Sequence, residues 1–181
     1  MANKKHVIKG YYDELSSSYD ELYGYEQINK YSLASNHICR LSESILDIGC
    51  GTLLIEEYVL STCFLENTPF FVGIDFSSGM LSKAKEKMRR NSKLGLMVDL
   101  VLADAAHLPF RNNAFKHALS FTVIIDNGIY WNNIYSEVRR TTRVSFLYSI
   151  MKGNNKDDKT VSCPVRLASF REREEICLEK F

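Results

Sequence analysis

No stretch of the sequence approaches the roughly 20 consecutive apolar residues that a membrane-spanning helix needs. The opening Met-Ala-Asn-Lys-Lys-His has no apolar segment of the kind that directs secretion. A cytoplasmic protein with no membrane partner is expected. An excess of charge of one sign is also missing: 23 Lys and Arg stand against 22 Asp and Glu, so no net field draws the chain toward nucleic acid or an anionic surface. Cysteine is sparse and unpatterned. Cys39, Cys50, Cys63, Cys163 and Cys177 are odd in number, widely spaced and contain no CxxC pair, which argues against a disulfide framework and a zinc ribbon and for a reducing compartment. His107 and His117 do not cluster with other ligand types, and no metal is expected. Internal repeats are absent, and one stretch alone has the composition of a linker, Lys152 to Thr160.

What is present fits one α/β domain, since 181 residues are enough for one and too few for two. The chain divides into an N-terminal helical lid over residues 1–40, a core over 41–151 and a short C-terminal hairpin over 152–181. Tyrosines and apolar residues at helical spacings, among them Tyr12, Leu15, Tyr19, Tyr23, Ile28 and Tyr31, predict two helices that break near Gly24. From Ser44 short apolar runs alternate with helical segments, the pattern of a largely parallel sheet. Strands are expected at Ile45 to Ile48, Phe70 to Asp75, Met97 to Ala103, Ala118 to Ile125 and Ser145 to Met151. Between them a helix carries Ile55, Val59 and Leu60, a second runs from Met80 to Arg90 behind a cap at Ser77 or Ser78, and a third spans Trp131 to Arg140. A hairpin of Val165 to Phe170 against Glu175 to Phe181 ends the chain. The predicted fold is α/β and Rossmann-like: a doubly wound, mostly parallel sheet of seven strands with a C-terminal antiparallel hairpin and N-terminal helices.

The chemistry concentrates at strand ends. Ile45-Leu46-Asp47-Ile48-Gly49-Cys50-Gly51-Thr52 runs from an apolar strand through an acid into a glycine turn that opens a helix, and such a turn lets backbone approach a ligand closely. The second strand ends at Asp75 and the third in Ala103-Asp104-Ala105. In a parallel sheet these acids lie along one carboxyl edge, where doubly wound folds bind ligands. An acid after the second strand suits the two hydroxyls of a ribose. Phe76 can cover one face of an adenine, while Asp104 accepts from its amino group and the Ala105 N–H donates to a ring nitrogen.

Asp47-Ile48-Gly49-Cys50-Gly51 resembles the first motif of class I S-adenosylmethionine (SAM)-dependent methyltransferases. Phe71 to Ser77 with Met80-Leu81 resembles their second motif, and Ala103-Asp104-Ala105-Ala106-His107-Leu108-Pro109-Phe110 their third. Asn113 to Phe121, which contains Ser120, is similar to their fourth strand in the subgroup that includes quinone-biosynthesis enzymes. The resemblance covers residues from about 10 to 150. It implies SAM as cofactor, with Gly49 and Gly51 facing its methionine end, Asp75 the ribose, and Asp104 with Ala105 the adenine; Asp47, Cys50, Phe76, Met80 and Ser120 complete the implied cofactor-binding set. Tyr11-Tyr12-Asp13-Glu14 and Tyr19-Asp20-Glu21 look like the family's opening segment, which implies that Tyr12 or Tyr19 closes over the sulfonium.

Several positions depart from the family. Leu53 stands where a third glycine is usual and puts bulk where the helix begins. Ile125-Asp126-Asn127-Gly128 replaces an Asn-Pro-Pro-Tyr-type tetrapeptide, which argues against amino-methylation of adenine or glutamine. The short span between fifth strand and hairpin implies a missing or reduced crossover helix and no separate substrate domain. Methyl transfer is an in-line displacement that positioning alone accelerates; where the acceptor must lose a proton, Asp126 is the candidate base. Tyr130 and Trp131 line an acceptor pocket or pack the core. The acceptor itself is not identified. A small molecule is favoured, with RNA or protein as alternatives through Arg89-Arg90 and Arg139-Arg140 with Arg143. A fold that binds SAM without catalysing, as a regulatory subunit, fits Leu53 and the short tail. A nicotinamide-dependent dehydrogenase fits less well, because its third glycine would fall at Leu54.

Overall fold

The computed structural model describes residues 2–64, 68–125, 129–151 and 163–181. Three helices open the chain: α1 (Ala2–Leu15), α2 (Tyr19–Leu33) and the single turn α3 (Ser35–Ile38). The break expected near Gly24 lies instead at residues 16–18, and α2 runs straight through a buried Gly24. One interior glycine costs a helix only about 1 kcal/mol, and the packing of α2 on the helix over Leu54–Thr62 outweighs it.

From Ser44 the alternation is as expected: β1 (Ser44–Ile48), α4 (Leu54–Thr62), β2 (Phe70–Asp75), α5 (Ser78–Arg90), α6 (Ser92–Met97), β3 (Val98–Leu102), β4 (Phe115–Ile125), α7 (Ile129–Thr141), β5 (Thr142–Met151), and the hairpin strands β6 (Val165–Phe170) and β7 (Glu174–Lys180). The seven strands form one sheet in the order β3-β2-β1-β4-β5-β7-β6. The first five are parallel, and β7 inserts antiparallel between β5 and β6. This is the doubly wound α/β fold read from the sequence. The short α6 has no counterpart in the expected pattern; Asn91 caps it by accepting from the N–H groups of Lys93 and Leu94. Strand β4 starts at Phe115 rather than Ala118, because Phe115 already pairs with Thr142.

Side chains that alternate along the strands fill two layers. Ile45 and Phe71 point to one face, against Tyr31, Ile38, Ile55, Val59 and Leu81. Leu46, Ile48 and Ile74 point to the other, against Trp131, Ile134 and Val138 of α7. Trp131 is buried with its ring 5.5 Å from that of Tyr148, so it packs the core rather than lining a pocket. Asp126 and the side chain of Tyr130 lie outside the described residues, as does the linker Lys152 to Thr160 with any crossover helix there.

The cysteine reading is corrected. Cys39, just after α3, is disulfide-bonded to Cys63, just after α4, with Cα atoms 5.2 Å apart. Cys163 is bonded to Cys177 across the hairpin, with Cα atoms 5.3 Å apart. Both separations lie within the range a disulfide spans. Spacing along the chain conceals this because each pair meets only after an intervening strand or helix returns the backbone. Cys50 is the free cysteine and is buried.

Replacing Trp131 by Ala empties the centre of the α7 layer and is expected to cost about 3–5 kcal/mol, read as a lowered midpoint in urea unfolding.

Candidate active site

Parallel pairing sets the strand ends level. Ile48 of β1 lies beside Ile74 of β2, and Asp75 beside Leu102 of β3, so the glycine turn, Asp75 and Asp104 share one edge. In the turn Gly49 and Gly51 take positive φ angles of 75° and 53°, and the N–H groups of Gly49 and Cys50 both donate to the Ile74 carbonyl. A Cβ on Gly49 would stand 2.1 Å from Val123 Cγ2, so glycine is required here by space as well as by φ. Leu53 also has a left-handed φ of 69°, a conformation that costs a residue with a Cβ about 1–2 kcal/mol. Its side chain is fully buried in the core with Ile55 and Phe71, so the bulk that departs from the family pattern is directed inward.

Asp75 is nearly closed to water. Its Oδ2 accepts from the Gly51 N–H at 3.0 Å and its Oδ1 from the Ser77 N–H at 2.8 Å, which leaves each oxygen with acceptor capacity. Burial pushes the carboxyl up to about 6, against the hydrogen bonds that favour the charged form. Asp47 and Glu56 form a second acidic feature, of which sequence reading missed the Glu56 half. Both are buried, and neither oxygen of Glu56 has a hydrogen-bond donor among the described residues. Burial first, then the charge of nearby carboxylates, raises both acids.

The N-terminal helices are fastened by carboxylates. Asp13 of α1 accepts from Ser77 Oγ at 2.6 Å, from the Gly79 N–H at 2.8 Å and from Lys9 Nζ at 2.6 Å. Burial opposes ionisation here, yet these donors hold Asp13 down to about 2. Ser77 also caps α5 by accepting from the Met80 N–H. A Cβ on Gly79 would meet the Asp13 backbone at 2.8 Å, so Gly79 permits this approach. In α2, Asp20 accepts from the Thr52 hydroxyl beside the glycine turn and pairs with Lys87 Nζ at 2.6 Å. The acids beside the expected tyrosines therefore make the attachments, and the tyrosines face inward.

Tyr12 and Tyr19 line a cavity of about 460 Å³ between α1, α2, the end of β4 and the hairpin. Burial and the charge of Asp75 raise the Tyr12 phenol, and Tyr12 meets Phe76 edge to face at 6.2 Å. The two tyrosines thus stand close both to Asp75 and to the cavity. At its floor lies a set of charges that has no sequence signal: Lys30, buried, is 2.7 Å from Glu174, 3.0 Å from Glu26 and 3.0 Å from Thr122 Oγ1. Thr122 sits in an irregularity of β4 with φ 62°, the kind of bulge that re-aims a side chain near a site.

Other expected residues fall as follows. Asp104 Oδ1 accepts from the Ala106 N–H at 3.0 Å, and Ala105 is half-buried at the same edge. Cys50 is buried behind the turn, where a Cβ on Gly73 would touch it. Met80 is buried at the start of α5, and Ser120 is buried with its hydroxyl donating to the Ile48 carbonyl; these two support the site from beneath. His107 is exposed, and His117 is buried against Ser145 Oγ. The one cluster of metal-ligand types among the described residues is Cys163, Glu175 and Cys177, two of which form the disulfide. Arg140 is spent on Glu137 and the carbonyls of Leu108 and Phe110, and Arg139 stacks on Phe181, which removes support for a phosphate-backbone surface there.

A family model described as "Methyltransferase domain" matches residues 45–144. The chain is 31% identical over 170 residues to an uncharacterized protein of Methanocaldococcus jannaschii, covering 93% of this chain and 60% of that protein. It is 27% identical over 120 residues to the demethylmenaquinone methyltransferase of Staphylococcus haemolyticus, covering 63% of this chain and 47% of that enzyme. The chain thus spans about half to three-fifths of the length of these relatives. Among solved structures, the geranyl diphosphate C-methyltransferase of Streptomyces coelicolor, in complex with Mg2+, geranyl diphosphate and S-adenosyl-L-homocysteine, superposes with a TM-score of 0.56 at 13% identity, over 68% of this chain and 45% of that one. At that identity the likeness is one of fold.

The raised carboxyls have a measurable consequence. Asp75 is held above its unfolded value of about 4, so the stability it contributes is complete below about pH 4 and is lost as pH rises through about 6. The Asp47–Glu56 pair is raised as well and acts in the same direction. Asp13 acts oppositely, but only where pH falls toward about 2, and His117, held low by burial, offsets part of the loss near neutrality. Each tenfold change in a group's proton affinity on folding is worth about 1.4 kcal/mol. Unfolding in urea is therefore expected to show the unliganded protein less stable at about pH 8 than at about pH 5, by a few kcal/mol. Glu56→Gln is expected to flatten that slope.

Proposed function

Because the chain belongs to the class I SAM-dependent methyltransferases, we propose that it transfers the methyl group of SAM to a small-molecule acceptor bound in the cavity beneath the N-terminal helices. The observation that carries this reading is Asp75: a buried carboxylate at the sheet edge, held by two backbone N–H groups, with acceptor capacity left on both oxygens. Those oxygens suit the two hydroxyls of a ribose. Gly49 and Gly51, with no Cβ, leave room for the methionine end, and Asp104 with the Ala105 N–H suits the adenine edge. When bound, SAM supplies a methyl group activated on a sulfonium, with a neutral thioether as leaving group.

The residues of this chain do the rest by placement and exclusion of water. Asp13 and Asp20 hold α1 and α2 down, and Tyr12 and Tyr19, close both to Asp75 and to the cavity, flank the place where cofactor and acceptor would meet. Holding nucleophile and methyl in line at contact distance accounts for most of the acceleration in such a displacement. The cavity, at about 460 Å³, is of the size that encloses small molecules, which favours a metabolite over RNA or protein. The residues over 1–40 act as the lid, those over 41–151 as the cofactor-binding core and those over 152–181 as the closing hairpin. Asp126 remains the proposed base for an acceptor that must lose a proton.

Calorimetric titration with SAM tests the reading. The native protein is expected to bind, and Asp75→Ala to bind at least about ten-fold more weakly, the equivalent of about 1.5 kcal/mol for charge-assisted hydrogen bonds to the ribose. Affinity in the native protein is also expected to rise with pH through about 6, because ribose donors favour the ionised Asp75. Equal binding by folded native and variant protein would refute the assignment of Asp75.

A further inference from the structure

A second cavity, of about 400 Å³, opens at the edge of the sheet away from the glycine turn. Register builds its floor: His117, Ser145 and Lys180 stand side by side on β4, β5 and β7, with Leu147 beside Leu178 two residues further along the same face. His117 and Ser145 lie near the starts of their strands, so the parallel sheet carries this row to the opposite edge from Asp75. The turn that ends α3 supplies a wall through His37, Arg40 and Leu41, and the Cys39–Cys63 disulfide ties that turn to the end of α4. Paired strands and a covalent bond frame the space.

Its charge is one-sided. Arg40 and Lys180 line the cavity, and no carboxylate does. The acids nearest to them along the chain are engaged elsewhere: Glu43 pairs with Lys116 at 2.7 Å and lies 4.0 Å from Arg143, while Glu179, on the opposite face of β7, accepts from Tyr135 and pairs with Arg139. Arg40 and Lys180 are exposed, and neither has a side-chain hydrogen bond or ion pair among the described residues. Long cationic side chains lay their methylene stems along apolar surface and keep the charged head in water. Each of the two therefore adds its stem to the wall and leaves its head free to turn onto an anion at the mouth. His117 brings no such charge: burial, then Lys116, holds its imidazole low, and its Nδ1 meets Ser145 Oγ at 2.7 Å. Beneath the mouth Leu41, Leu147 and Leu178 are buried and apolar.

We propose that this cavity is a second ligand site, which takes a small amphipathic carboxylate, its apolar body against Leu147 and Leu178 and its charge between Arg40 and Lys180. The volume is of the size that encloses small molecules, and a mostly apolar lining with a few polar groups is the usual make-up of such a site. The proposal does not depend on the methyltransferase reading, because none of these residues belongs to the cofactor edge or to the cavity beneath the N-terminal helices.

The test titrates the full chain with β-naphthoate and with its neutral isostere β-naphthamide, binding being followed by probe fluorescence. Naphthoate is expected to bind more tightly by about five-fold or more, the effect of two charge-assisted contacts at a partly exposed mouth. That advantage is expected to vanish in the double variant Arg40→Gln with Lys180→Gln, shown to be folded by a thermal melt. Where the double variant does not fold, the single variants are each expected to lose part of the advantage. It is expected to persist in Arg173→Gln, which removes a cation from the other cavity. Raising the salt from about 0.1 M to about 1 M, which shortens the screening length from about 10 Å to about 3 Å, is expected to narrow the advantage in the native protein. Equal affinity for the two probes, no binding of naphthoate, or an advantage that survives in the folded double variant overturns the proposal. So does an advantage lost in folded Arg173→Gln, which would put the carboxylate beneath the N-terminal helices instead.

Discussion

Parallel strands cannot be joined by tight turns, so every strand of β1 to β5 must leave the sheet at one edge and return at the other. That constraint gathers the exits of β1, β2, β3 and β4 in one place and makes it the edge where long-range chemistry can be assembled from short segments. The register then decides which groups meet: Ile48 beside Ile74 and Asp75 beside Leu102 bring the glycine turn, the buried carboxylate and the Asp104 segment to one level. The helices have a subordinate part. They cover the two faces, and α1 and α2 extend over the edge where the strands end.

At that edge burial and charge are played against each other. Asp75, Asp47 and Glu56 are carboxyls in places where ionisation is resisted, while Asp13 is held ionised by three donors. Lys30 is a cation that water does not reach, tolerated because carboxylates from its own helix and from the hairpin meet it. A replacement on either side of that pair leaves the other charge buried alone. The hairpin and α2 are therefore joined electrostatically, although 144 positions separate Lys30 from Glu174 in the chain.

The parts legible in the sequence are those with local patterning. Strand ends at Ile48 and Asp75, the Ser77 cap and the two-strand hairpin all follow from short apolar runs and the residues that stop them. The illegible parts depend on contacts between distant segments. Lys30 and Glu174 look like solvated charges on a helix and a turn, and nothing near either one announces the other. Glu56 reads as an exposed acid in a first helical turn, where the dipole favours it, and only the fold places it against Asp47. The break in the N-terminal helices is displaced from Gly24 because tertiary packing outweighs glycine propensity. The disulfides escape notice because cysteine spacing carries no information on which loops return to each other. Leu53 reads as bulk near the cofactor, whereas its side chain turns into the core.

Gly49 and Val123 illustrate what such a site permits in descent. Each is an ordinary residue alone, one in a turn and one late in β4, yet an added methyl at position 49 would overlap a γ-methyl at position 123. Drift at position 49 is closed unless Val123 shrinks first, and even then the left-handed backbone at 49 leaves few substitutes. Across those 74 positions the dependence runs one way: room for a side chain at 49 opens only where Val123 gives way.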